Sequence, residues 1–468
     1  MVNHVNKRTN LSIVGTAGLA FCGILLETSL NVTFPEMTGY FHTGLSTVQW
    51  LTTGYLLVVA LTVLGAAWLQ HSFSTRSLTA VSVGIFLVSD VMCILAGNFQ
   101  VLLVGRLLQG VSTGIILPLV FSLIMRKIPL SIQGRYVGSA GMAVALAPSL
   151  GPTFGGAVVQ MTSWRFIFLI ILPIELAFGI LALAMADREE TRVQPFAGGQ
   201  FALLAVFLVG LTLALSTLDR PGPLTWGSLA VGLAGLAGGI HLLTHQHERL
   251  IQTDVFSNRA FTLCLVLYFL IQFIQIGLTF VLPNMAQSVL GKPSTVAGLI
   301  LLPGSLLSAL CQPITGSYLD GHGLSGRLLG IGSVAFLLSA TGFLVLRARL
   351  SVLLMVVLYA CYMVGVACVF NNLLTVGLQH LPEARMQDGN ALFNTLQQYS
   401  GAASTGVLAA IISGLPRMGH VGGSTSSAFQ FGASWAFVFI FVVVLVMVVV
   451  AWSLNRSLAG EEEEPRLN

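Results

Sequence analysis

Apolar stretches of helical length alternate with short polar loops from one end of the chain to the other. They run approximately over 11–34, 48–69, 77–96, 101–124, 135–159, 165–186, 200–218, 225–243, 260–284, 294–318, 326–346, 351–379, 391–415 and 432–454. A helix of about 20 apolar residues crosses the hydrocarbon core of a bilayer, so the pattern predicts fourteen transmembrane spans. The basic residues support that count. Of the 21 Lys and Arg, alternate loops place 14 on the face that holds both termini and 6 on the other, which leaves only Arg106. The positive-inside bias therefore puts both termini in the cytoplasm, and an odd number of spans would break the balance.

The longest polar interruptions, Asp187 to Arg192 and His245 to Arg259, divide the spans six, two, six. The expected organisation is an N-terminal six-helix bundle over 1–190, a two-helix linker hairpin over 191–250, a C-terminal six-helix bundle over 251–458 and an acidic cytoplasmic tail over 459–468. A weak internal echo joins the halves: Ala67 to His71 after span two corresponds to Gly316 to Asp320 after span ten. Duplicated halves are typical of secondary transporters.

Composition agrees with an all-α polytopic membrane protein, because 55% hydrophobic and 8% charged residues exceed what a soluble domain can hide. The first apolar stretch is too long for a cleavable signal and lacks a small-residue cleavage site, so it remains as span one. The net charge of +4 lies in short loops without a basic run, which argues against nucleic acid. All six cysteines fall in predicted spans without ligand spacing, so no metal or other cofactor is expected. No phosphate loop or nucleophile elbow is present, and an enzyme is not indicated.

Candidate chemistry lies where charge enters the apolar stretches. Arg106 is the only basic residue that no loop or rim accommodates, and a guanidinium in hydrocarbon needs a partner and marks a functional site. At about 1.5 Å per residue, Glu27, Asp90 and Arg106 lie roughly 10, 9 and 8 Å from the outer ends of spans one, three and four. They occupy one layer. Glu175 sits near the middle of span six, two residues after Pro173. Desolvation favours a protonated carboxyl and a nearby guanidinium favours the ionised one, so a moving Arg can release a proton. The same residues also fit a permanent ion pair between Glu27 and Arg106, and an inert acid at Asp90 or Glu175.

In span five, Gly151 and Gly155 are spaced for close helix approach, Pro148 and Pro152 add bends, and Gly156 follows. The set reads as a packing strip or a flexing gate. Beyond Asn31 and Gln109 in the first half, the second supplies the amides Gln272, Gln275, Asn371, Asn394 and Gln398, suited to an amphipathic solute or to interhelical hydrogen bonds.

Together these motifs resemble the fourteen-span drug:proton antiporters of the major facilitator superfamily. Leu26 to Pro35 looks like that family's first-span signature, with Glu27 where the family usually has Asp. Arg106, Gln109, Gly110 and Gly114 match its fourth-span motif, and Ala147 to Gly156 its fifth-span antiporter motif. The resemblance implies a proton-coupled exporter of amphipathic drugs, including lipophilic cations, acting by alternating access as a monomer in a bacterial cytoplasmic membrane. Glu27, Arg106 and Asp90 would serve proton coupling. Glu27 and Glu175, with the amides above, would bind substrate, and the fifth-span residues would gate. One departure is the loop after span two, where the family's latch Asp is missing and His71 stands nearby; the second-half copy keeps Asp320, so the latch is expected there. The alternatives are a dedicated proton-driven exporter of one metabolite, peptide or amino acid, and a membrane sensor without transport.

Overall fold

The computed structural model describes residues 6–186, 195–245, 253–322, 326–382, 385–418 and 425–463; within these ranges some side chains, those of 130–135 and 320–322 among them, are outside the description. Every regular element among the described residues is helical: α1 (Lys7–Ser29), α2 (Phe34–Phe41), α3 (Leu45–Val48), α4 (Trp50–Leu64), α5 (Ala66–Ser72), α6 (Thr75–Ile94), α7 (Phe99–Lys127), α8 (Leu130–Met161) and α9 (Arg165–Met185). Then follow α10 (Gly198–Ser216), α11 (Pro223–His245), α12 (Arg259–Ser288), α13 (Ser294–Leu299), α14 (Leu302–His322), α15 (Gly326–Leu346), α16 (Val352–Gln379), α17 (Met386–Met418) and α18 (Thr425–Glu463). A helix satisfies its own backbone groups where no water is available, which is why long apolar segments take this form in lipid.

Helix starts follow the polar punctuation. Asn6, Ser74, Asn98, Asn258 and Ser351 each accept a backbone N–H of the first turn, at 2.9 to 3.3 Å, and so cap α1, α6, α7, α12 and α16. Span one does not end cleanly. It passes through a 3₁₀ turn at Leu30–Val32 into α2, whose first turn accommodates Pro35 because the missing N–H has no helical partner there.

Among the described residues, 12 helices are long and apolar enough to cross a membrane, or up to 13 counting the bent α8. The sequence expectation of fourteen exceeds this count at α8 and α17. In α8 the helix axis turns by 41° around Ser149, beside Pro148. In α17 the apolar run is interrupted by Asn390, Asn394, Gln397, Gln398 and a series of Ser, Thr and Gly, which lowers its affinity for hydrocarbon.

The chain divides into two compact units, Met1–Phe196 with Pro293–Leu299, and Ala197–Lys292 with Ile300–Asn468. In the first unit α1 packs on α7, α8 and α9, and α6 on α7 and α9. Its apolar core includes Leu19, Leu78, Val83, Phe86, Ile116, Leu119 and Ala182. In the second unit α12 packs on α16, α17 and α18, and α14 and α15 flank α16. The hairpin of α10 and α11 rests on α17, where Tyr399 Oη donates to the carbonyl of Leu208 at 3.4 Å.

Candidate functional site

The four charged residues that the sequence places inside spans are all buried in the first unit: Arg106 and Asp90 at 0% exposure, Glu175 at 1% and Glu27 at 6%. Four helices supply them. Glu27 comes from α1, Asp90 from α6, Arg106 from α7 and Glu175 from α9. The close approach of these helices depends on small residues. A Cβ on Gly105 would lie 2.7 Å from the Cys93 sulfur, and one on Gly179 would lie 2.9 Å from Val83, so α6 can seat against α7 and α9 only with glycine there.

Arg106 is held on three sides. Its Nε donates to the carbonyl of Leu51 at 3.3 Å, its guanidinium carbon lies 4.2 Å from the centre of the Tyr55 ring, and one terminal nitrogen donates to Gln109 Oε1. The other terminal nitrogen has no hydrogen-bond partner among the described residues. Tyr55 is fixed in turn, its hydroxyl bonding the Gly23 carbonyl at 3.0 Å and Thr113 Oγ1 at 2.8 Å. Gln109 passes the connection on, since its amide nitrogen donates to Asp90 Oδ1. Asp90 and Glu175 then meet carboxyl to carboxyl within hydrogen-bonding reach. Asp90 Oδ2 and both oxygens of Glu175 receive no donor from the described residues. Two carboxylates are acceptors only, so this contact becomes a hydrogen bond when one of them carries a proton.

Glu27 stands apart from that chain of contacts. It feels the charge of Arg106 but makes no ion pair with it within 4.0 Å. A permanent Glu27–Arg106 salt bridge, one of the two arrangements left open by the sequence, is therefore not the geometry adopted. One turn further along, Asn31 Oδ1 accepts from Thr52 at 3.0 Å.

The span-five residues contact two different neighbours. A Cβ on Gly151 would collide with Thr28 and one on Gly155 with the backbone of Ser29, both on α1. On the adjacent face a Cβ on Gly156 would strike Ser294 O, and one on Gly298 would strike Pro152 O, so α8 and α13 touch backbone to backbone. Hydrogen bonds reinforce the contact: Ser294 Oγ and Thr295 Oγ1 donate to the Gly156 carbonyl at 2.9 and 3.2 Å. Pro148 is partly exposed on α8, and His71 is exposed at the end of α5. Asp320 lies outside the described residues as far as its side chain is concerned.

The second-unit amides do not form one cluster. Asn371 is exposed and donates to Gln312 Oε1 at 2.9 Å, whereas Asn394 donates to the carbonyl of Asn390 on its own helix at 2.8 Å. Gln272 and Gln398 are half-buried, and Gln275 Oε1 is buried without a partner. Tyr55, absent from the sequence reading, was detectable as a tyrosine one turn from Leu51 in an apolar stretch, although tyrosines also occur there as plain packing.

Comparison with known proteins agrees with this architecture. The family profile described as Major Facilitator Superfamily matches residues 16–406. The chain is 33% identical over 406 residues to the lincomycin resistance protein LmrB of Listeria monocytogenes, covering 84% of each chain. It is 26% identical over 420 residues to the multidrug resistance protein B homologue of Mycobacterium tuberculosis, covering 86% of this chain and 77% of that one. Among solved structures, a bacterial homologue of the human lysosomal transporter Spinster superposes with a TM-score of 0.68 at 13% identity, over 97% of this chain and 98% of that one, a likeness of fold.

Proposed function

The chain belongs to the Major Facilitator Superfamily, a multi-pass membrane transporter, and from that premise we propose that it exports amphipathic drugs in exchange for incoming protons. The observation that carries this reading is the buried set of three carboxyls and one guanidinium, whose other buried polar neighbours in the unit are neutral. Ionisable groups buried in a membrane-spanning unit are costly to keep and by default mark a functional site such as a proton relay. Relatives named for lincomycin resistance and multidrug resistance support the drug-efflux part of the reading.

In the proposed cycle a proton entering from outside neutralises Glu27, and a substrate arriving from the cytoplasm displaces it. Arg106 remains in place, held by Leu51, Tyr55 and Gln109, and keeps an ionised carboxyl tolerable until substrate or proton replaces its counter-charge. Alternating exposure of this layer to the two sides of the bilayer makes the exchange vectorial. A lipophilic cation fits such a layer because it replaces one positive charge by another. The glycines of α8 allow the backbone-to-backbone contacts with α1 and α13 across which helices can slide with little side-chain obstruction.

The test is uptake of a fluorescent lipophilic cation, and of lincomycin, into inverted proteoliposomes with an acidic lumen. Wild-type protein is expected to accumulate the cation and Glu27→Gln to lose that accumulation. Equal accumulation by both would remove Glu27 from the mechanism, and accumulation independent of the pH gradient would remove proton exchange.

A further inference from the structure

The acids in this layer outnumber their counter-charge. Glu27, Asp90 and Glu175 face a single guanidinium, so full ionisation would leave two uncompensated negative charges in the interior of the unit. An uncompensated buried charge is neutralised by taking up a proton or a cation. Glu27 accounts for one such event in the proposed cycle. The remaining one belongs to Asp90 and Glu175.

Three features place it there. The two carboxyls face each other across the α6–α9 contact, which the fit of Gly179 against Val83 brings together. Their three spare oxygens have no donor of their own. Gln109 then joins Asp90 to Arg106 with an amide whose two ends serve the acid and the base at once. The titratable and charged groups around the pair are Cys22 on α1, Tyr55 on α4, Cys93 on α6 and Arg106 on α7, while Glu27 faces the same guanidinium from α1. Cys22, Tyr55 and Cys93 are buried, and among the described residues Arg106 is the basic group near the pair.

We infer that Asp90 and Glu175 form a second proton-carrying site, one proton shared between two carboxyls, coupled through the Gln109 amide to Arg106. On release the O–H bond of the protonated partner breaks, the bonding electrons stay on the carboxylate, and the proton passes to water that enters when the layer opens. With all three carboxyls ionised, Arg106 offsets one negative charge and a monovalent cationic substrate a second, and the third is solvated by the water that enters. Gln109 is a positioning residue, keeping Asp90 turned toward Arg106 while its other oxygen stays with Glu175. The inference rests on the proton-exchange reading for its physiological use, but the site itself can be tested without transport.

The test is infrared difference spectroscopy of the purified full-length protein during pH titration, following the C=O stretch of protonated carboxyls. In Glu27→Gln a titrating band is expected to persist at about half the wild-type amplitude, and in Glu27→Gln with Glu175→Gln it should vanish, because the amide supplies permanently the hydrogen bond that the proton supplied. Absence of the band in Glu27→Gln, or its persistence unchanged in the double variant, would overturn the inference. Should the double variant not survive purification, Glu175→Asp in the Glu27→Gln background should shift the band in frequency, since the shorter arm lengthens the shared hydrogen bond; an unshifted band counts against the pair. No drug enters these measurements, so failure of drug uptake and failure of the second proton site are separate results. Where both readings hold, Glu175→Gln is also expected to lower the limiting drug ratio about tenfold per unit of pH gradient, the free energy of one proton.

Discussion

The two units use the same helical material for opposite ends. Among the described residues, the first unit buries Glu27, Asp90, Arg106 and Glu175, while the buried polar groups of the second are neutral, among them Gln200, Asn372, Ser305, Ser308, Ser400 and Ser404. Its tyrosines follow the same rule: Tyr362 donates to the Ile271 carbonyl at 2.6 Å and Tyr268 to Gln397 at 2.9 Å, while the Tyr268 ring stacks on Phe370. Neutral hydrogen bonds of this kind are worth about 1 kcal/mol each and do not respond to pH near neutrality. Buried charges cost several times more and do respond. Among the described residues, buried charge is thus concentrated in the first unit, and the second presents neutral hydrogen-bonding groups whose interactions do not depend on pH near neutrality.

The largest effect on this contrast is expected from Arg106→Ala. Removing one partner of a buried charge set costs about 3–5 kcal/mol, so proton-driven efflux should fall to background in vesicles, with reduced yield of folded protein; retained efflux would show that the guanidinium is dispensable. Next comes Glu27→Gln, which should abolish gradient-driven accumulation while membrane insertion, read by size-exclusion profile, stays normal. Gln109→Leu tests the connection between the acid and the base. It deletes two hydrogen bonds to charged groups, each worth about 1.5–3 kcal/mol, and coupled efflux should drop by roughly a hundredfold or more; Gln109→Glu, whose ionised carboxylate cannot donate to Asp90, should not rescue it. In the second unit Asn394→Ala should change KM for drug by about two- to tenfold, the range of one neutral hydrogen bond, with an unaltered pH profile. A shifted pH optimum there would blur the contrast.

The smallest effect lies at the rim of the first unit. Glu36 on α2 accepts the backbone N–H of Trp164 and faces Arg165, yet burial outweighs both and pushes its carboxyl above the usual carboxylate range. A carboxyl raised in this way binds its proton more tightly in the folded chain than in the unfolded one. Its contribution to stability is therefore present at low pH and lost as pH rises through the raised value. Glu36→Gln should flatten thermal stability against pH above the ordinary carboxylate range, measured as melting temperature. Arg165 is not freed by the change, because it also donates to Tyr40 Oη at 2.9 Å and to the Ala96 carbonyl at 2.7 Å.

Much of this architecture was legible in the sequence because length and apolarity alone decide whether a segment crosses a bilayer. The grouping of charges was legible in part: distance along a helix sets the expected depth, and the structure joins Arg106 to Asp90 through Gln109. Rotation about the helix axis was not. Nothing in the order of residues says that Gln109, first considered as a substrate amide, turns between Arg106 and Asp90, or that Asp90 and Glu175 meet, since a 100° rotation of α6 or α9 would separate them. The glycines of α8 announced a close contact without naming its partners. They meet α1 at Thr28 and Ser29 and α13 at Ser294 and Gly298, a short helix that the apolar pattern merged with α14.

Where the proton is held is read directly by proton release from purified protein. Adding a lipophilic cation in weak buffer should acidify the solution for wild type and for Asn394→Ala alike. The Glu27→Gln protein should release fewer protons, and Arg106→Ala should give a response unlike wild type. Equal release from wild type and Glu27→Gln would contradict the assignment of a carried proton to Glu27, and loss of release in Asn394→Ala with the first unit intact would contradict the assignment of proton chemistry to the first unit.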